Sequence, residues 1–176
     1  MHSPQGQEAL VELAKASDII VLAFPLYVDS LPAAVIAALE LLAQRRRDQK
    51  PLKDQAILAI VNNGFPEASQ NKTAIAICRQ FSRETDMQWA GGLSLGGGGV
   101  IGGRPLGKTG GIARNVRKAL NIAAKDLLEN KPISKEAEVL MAKPLVPKWL
   151  YTYMSNRGWK QMAKKQGTQN KLYSQP

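Results

Sequence analysis

The chain has 176 residues, 44% of them apolar, and a single cysteine, Cys78, so one domain with an ordinary core is expected and no intrachain disulfide can form. His2 is the sole histidine, and neither a secretory signal nor an apolar run of spanning length is present; His-based metal clusters and membrane insertion drop out, and a cytoplasmic protein is the expectation. The formal charge of +10 is local: residues 131–176 hold nine Lys and Arg against Glu136 and Glu138, a surplus of seven, which leaves the body nearly balanced.

Residues 8–16 (EALVELAKA) read as a helix that feeds a strand over 18–24, where Ile19, Ile20, Val21, Leu22, Ala23 and Phe24 run without a polar interruption. Pro25 ends the strand. A loop over Leu26 to Ser30, with Tyr27 inside it, follows, and Pro32, which lacks an N–H, suits the first turn of a helix reaching about Arg46, with Val35, Ile36, Leu39 and Leu42 at helical spacing. The triplet Arg45, Arg46, Arg47 reads as a solvated cap opposing the helix dipole rather than as a phosphate grip. A second strand over 56–61 leads into the loop Asn62 to Glu67 and a helix over 68–84, on which Cys78 reads as a small buried hydrophobe. The third unit has a strand over 89–95 that Trp89 opens as a core residue, a glycine-rich loop over 96–103, and a helix from about 111 to 129. Three strand-loop-helix units in succession predict a parallel sheet in an α/β domain over residues 1–130.

Residues 131–176 form a second segment. Pro132, Pro144 and Pro147 break it into a connector with a short helix near 135–142, followed by a helical arm over 148–165 in which Trp149, Leu150, Tyr151, Tyr153, Met154, Trp159 and Met162 mix with Lys and Arg. The arm admits two readings. It is a basic surface for membrane or nucleic acid, or it packs on its own sheet or on a second subunit, with charges reaching outward. Gly158 and the lack of a clean apolar stripe favour the packing arm, and hence a homo-oligomer, a dimer, with no nucleic-acid partner.

In a parallel sheet all strand C-termini lie on one edge, so the loops at 25–31, 62–67 and 96–103 are expected to converge there. Tyr27 and Phe65 offer flat apolar surface, Asn62 and Asn63 offer amide groups, and the glycines allow close backbone approach. That inventory suits a planar heteroaromatic ligand with a polar rim.

Pro25, Leu26 and Tyr27 at a strand end, then Asn63, Gly64, Phe65, Pro66, Glu67, then the glycine run at 96–99, together resemble the flavodoxin-like NAD(P)H-dependent FMN reductases. The resemblance covers about residues 8–129. It implies a three-layer α/β/α fold with strand order 2-1-3-4-5, FMN at the strand C-termini, and NAD(P)H as the reductant. By the same resemblance Pro25, Leu26, Tyr27 and Val28 line the isoalloxazine ring, Asn63, Gly64 and Phe65 flank it, and Gly97 and Gly98 belong to the cofactor site. No side chain need act as acid or base, because the flavin performs the hydride chemistry.

The departure lies at the start. The family begins with a strand and a Gly/Ser-rich loop whose free N–H groups hold the FMN phosphate at a helix N-terminus, whereas the sixteen residues before Ser17 suffice for a lead-in and one helix. The strands here correspond to the family's third, fourth and fifth. The strand at 18–24 is then expected to present an unpaired edge, covered by another chain or by the N-terminal segment, or left bare in a fragment, and intrinsic FMN affinity is expected to be weak or absent. Two competing readings stand beside the oxidoreductase: a non-enzymatic remnant or interaction module, and a P-loop NTPase from Gly102-Gly-Arg-Pro-Leu-Gly-Lys108-Thr109, which satisfies GxxxxGKT but is followed by Gly110 and Gly111 where a helix should run.

Overall fold

The computed structural model describes residues 3–48 and 54–168, and they divide into two compact units, 1–145 and 146–176. Each element of the first unit follows from a local cause. Helix α1 (Pro4–Ala16) starts before the expected residue 8 because the Ser3 hydroxyl accepts the Gly6 N–H at 3.2 Å, with Pro4 in the first turn. Strand β1 (Ile19–Pro25) leads to helix α2 (Ala33–Asp48), whose first turn closes on the Pro32 carbonyl. Strand β2 (Ala56–Asn62) is followed by a 3-10 turn at Ala68–Asn71 and helix α3 (Lys72–Glu84). Strand β3 (Gln88–Leu95) precedes helix α4 (Arg114–Leu128), which begins three residues later than the periodicity predicts because Gly110 is left-handed at φ 58. Helix α5 (Lys135–Met141) closes the unit, and helix α6 (Lys148–Lys165) belongs to the second.

The three strands are parallel in the order β1-β2-β3, with Ile20 opposite Ile57 and Phe24 opposite Val61. This is an α/β fold of the flavodoxin-like three-layer kind. On one face Leu22 and Phe24 of β1 join Ala59 and Val61 of β2, Leu39 of α2, and Ala74 and Cys78 of α3; α1 packs beside α2. On the other, Leu58 and Leu93 meet Val116, Ala119 and Ala123 of α4 and Ala137, Leu140 and Met141 of α5. This second cluster stops at β2, so on that face Val21 is 50% exposed and Ala23 is also open to solvent. No described strand pairs with the outer edge of β1. The unbroken apolar run therefore forms an edge strand, although such runs predict a strand covered on both faces.

The N-terminal ends of the strands are tied together by an unexpected residue. Arg46 is not a solvated cap: its Nε donates to the Thr85 carbonyl at 2.6 Å, Nη1 to Gln55 Oε1 at 2.6 Å and Nη2 to the Asp86 carbonyl at 3.2 Å. Burial lowers its pKa from the ordinary arginine value, partly offset by Asp86. Gln55 in turn donates to the Ala14 and Ser17 carbonyls at 2.6 and 2.7 Å, so one guanidinium and one amide join α1, α2, β2 and the α3–β3 turn. Arg45 and Arg47 are exposed, as expected of a cap.

Candidate functional site

The loops that follow β1, β2 and β3 do converge, and backbone hydrogen bonds join them. Leu26 N donates to the Asn62 carbonyl at 2.6 Å, Asn63 N to Leu95 at 3.1 Å, Gly98 N to Asn63 at 2.9 Å and Gly97 N to Phe65 at 2.6 Å. The last two loops approach so closely that a Cβ on Gly96 would lie 2.5 Å from the Pro66 carbonyl oxygen and 2.8 Å from Ala68 N. Only glycine fits there.

Within the first loop, Tyr27 and Ser30 exchange both backbone hydrogen bonds at 3.0 Å around Val28 and Asp29, which are left-handed at φ 47 and 58. That is the two-residue geometry normally filled by Asn-Gly, here held by a β-branched residue and an aspartate. The turn displays its side chains: Tyr27 is 68% and Val28 88% exposed. Phe65, in the second loop, is 55% exposed. Pro25, Tyr27, Val28 and Phe65 thus supply exposed apolar surface at the strand C-termini, Leu26 is half-buried against the core beneath them, and Gly64 has open space where a side chain would stand.

Three of the residues expected at a ligand are occupied with holding the loops instead. Asn63 is buried; its Oδ1 accepts Phe65 N at 2.7 Å, and its Nδ2 donates to the Glu67 carbonyl at 3.1 Å and to Asn71 Oδ1 at 3.0 Å. It offers no spare amide to a polar rim, whereas Asn62 is exposed. Gly97 and Gly98 spend their N–H groups on the Phe65 and Asn63 carbonyls, so neither is directed to an anion.

Asn71 is a central residue that the sequence reading passes over. It is fully buried, and its Nδ2 donates to the Val61 carbonyl at 2.9 Å, Ser94 Oγ at 3.0 Å and the Leu95 carbonyl at 3.1 Å. One amide thus holds β2, β3 and the loop of Asn63 in register. Its signal is positional: Asn71, Ala74, Cys78 and Ser82 share one buried stripe at helical spacing, and a polar residue there must be satisfied internally.

The GxxxxGKT segment folds on itself. Thr109 Oγ1 donates to the Leu106 carbonyl at 2.6 Å, Arg117 donates to the carbonyls of Leu106 and Gly110 at 2.7 and 2.9 Å, and Arg104 donates to those of Ile101 and Val100 at 2.9 and 2.8 Å. Helix α4 starts at Arg114, five residues beyond Thr109, so Lys108 and Thr109 do not stand at a helix N-terminus. A P-loop needs that placement. Among the described residues no group of His, Cys, Asp and Glu is arranged to hold a metal ion. Burial pushes the Cys78 thiol up to about 11, which fits a packing role.

A cleft of about 440 Å³ lies at the opposite end of the sheet, where Asp18, Asp54, Gln55, Gln88, Trp89 and Lys131 line it. The exposed apolar surface at the C-terminal edge is therefore separate from this cleft. No family model, curated protein or solved structure matches the chain.

Proposed function

We propose that this chain takes part in NAD(P)H-dependent electron transfer through FMN, and that its own residues provide the isoalloxazine side of the site. The supporting observation is the convergence of the Tyr27 turn and the Asn63–Phe65 loop at one sheet edge, with two aromatic rings exposed and the backbone beneath them fixed. Pro25, Tyr27, Val28 and Phe65 fit a planar ring. The phosphate side fits poorly, since Gly97 and Gly98 have no N–H to give and Thr109 is internally bonded. When bound, the flavin supplies the hydride chemistry; the chain's part is to orient the ring and shield one face.

The binding experiment follows from that division. Quenching of flavin fluorescence should give weak binding, with FMN and riboflavin within about 3-fold of each other because no group grips the phosphate, and Tyr27→Ala should weaken both by ~10-fold. Absence of quenching by either flavin overturns the proposal. That result favours a non-enzymatic interaction module, a reading supported by the open β1 edge and the exposed Val21 beside it.

A further inference from the structure

We propose that the outer edge of β1 is a homodimer interface, at which β1 pairs antiparallel with β1 of a second copy about a two-fold axis at Val21. The Asp18 carbonyl accepts Ala56 N and Leu26 N donates to the Asn62 carbonyl, so the even-numbered residues of β1 bond to β2. Ile19, Val21 and Ala23 therefore present both N–H and C=O outward. Among the described residues no strand takes them up. Sheet edges are ordinarily guarded by a charge, a bulge or a covering loop. Here Ile19 to Val28 holds no charged residue, the β1–β2 ladder runs without a bulge, and Val21 is 50% exposed with Ala23 open beside it.

The two ends of the strand select a second copy as the occupant. At one end Pro25 has a carbonyl and no N–H. At the other, Ser17 has its N–H on the Ala14 carbonyl at 3.2 Å, and its own carbonyl accepts Gln55 Nε2 at 2.7 Å. An antiparallel copy centred on Val21 sets Ser17 against the partner's Pro25, so each depleted end meets the other. Between them Val21 faces the partner's Val21 and Ile19 faces the partner's Ala23, each pair exchanging both backbone hydrogen bonds. Centring the axis on Ile20 or Leu22 instead sets Ala23 against Ser17 or Ile19 against Pro25 and leaves a carbonyl without its donor. The side chains agree with the Val21 register. The cross-strand pairs Ile19–Ala23, Ile20–Leu22 and Val21–Val21 are all apolar, and Asp18 lies opposite Phe24, whereas a copy added parallel and in register sets Asp18 beside Asp18. A longer strand of another protein would run past Ser17 and Pro25, where neither end completes its ladder.

Sedimentation velocity of the full chain without flavin should show a monomer–dimer equilibrium with a Kd of about 1–100 μM. Val21→Lys sets like charges across the axis and should weaken it by at least ~10-fold, with circular dichroism unchanged because Val21 is exposed in the monomer. Cross-linking reads the register. Val21→Cys should give disulfide-linked dimers under mild oxidation, since directly opposed residues stand about 5.5 Å apart at Cα and the native Cys78 is buried. Ile19→Cys alone lies about 13 Å along the strand from its counterpart and should link at least ~10-fold more slowly, and mixing it with Ala23→Cys should restore the rate. Should Val21→Lys lose its native circular dichroism, the cross-linking rates decide alone. A chain that stays monomeric at about 200 μM, a dimer that Val21→Lys leaves intact, or Ile19→Cys linking as fast as Val21→Cys overturns the proposal.

Discussion

Val28 holds a left-handed backbone at φ 47 while its side chain stands 88% exposed, and Asp29 beside it is at φ 58. A β-branched residue pays about 1–2 kcal/mol in that region, and nothing in the core repays it here. Val28→Gly should therefore raise stability by up to about 1 kcal/mol, read as an increase of about 2–4 °C in Tm. The same substitution should weaken flavin binding if the exposed Val28 methyls form part of the flavin surface. Arg46 shows the opposite relation between appearance and role. It stands in a run of three arginines, yet it alone reaches Thr85, Gln55 and Asp86. Arg46→Lys cannot span three acceptors and should cost about 2 kcal/mol by urea denaturation, whereas Arg45→Lys should stay within about 0.5 kcal/mol.

At the scale of elements, the three strands were legible from Ile19–Phe24, Ala56–Val61 and Trp89–Leu95, because apolar runs bounded by Pro, Asn and Gly have few other readings. Helix starts were less so. They depend on Ser3 capping α1, the 3-10 turn before α3 and the left-handed Gly110 before α4, each a local geometry that periodicity does not encode. Loop convergence at one sheet edge followed from parallel topology. How the loops are fastened did not, since Asn63 and Asn71 look alike in sequence to amides free for a ligand, and only tertiary contacts show them spent. The two-loop junction gives a direct test. Gly96→Ala forces a Cβ against the Pro66 carbonyl and should cost about 3 kcal/mol, while Gly99→Ala, with nothing within 4 Å, should be near neutral in the same denaturation experiment.

For the whole molecule, the two faces of the sheet differ in reach. The cluster on the α2 and α3 side extends under β1, and the one on the α4 and α5 side ends at β2, leaving β1 with one covered face and, among the described strands, one unpaired edge. In the parallel ladder Asp18 O and Leu26 N both point to β2, so the even-numbered residues of β1 face the sheet and Ile19, Val21, Ala23 and Pro25 turn their backbone groups outward. The distribution of charge differs as well, since the balanced body contrasts with an α6 that carries cations alone.

Pro25 gives that outward edge a terminus. A strand adding to β1 finds amide donors at Ile19, Val21 and Ala23 and none at Pro25, where only the carbonyl is left to accept. The proline thus removes one donor from the outward edge of an apolar strand. Pro25→Val should lengthen the ladder available to a second copy, and light scattering at equal concentration should rise faster for the variant than for the native chain.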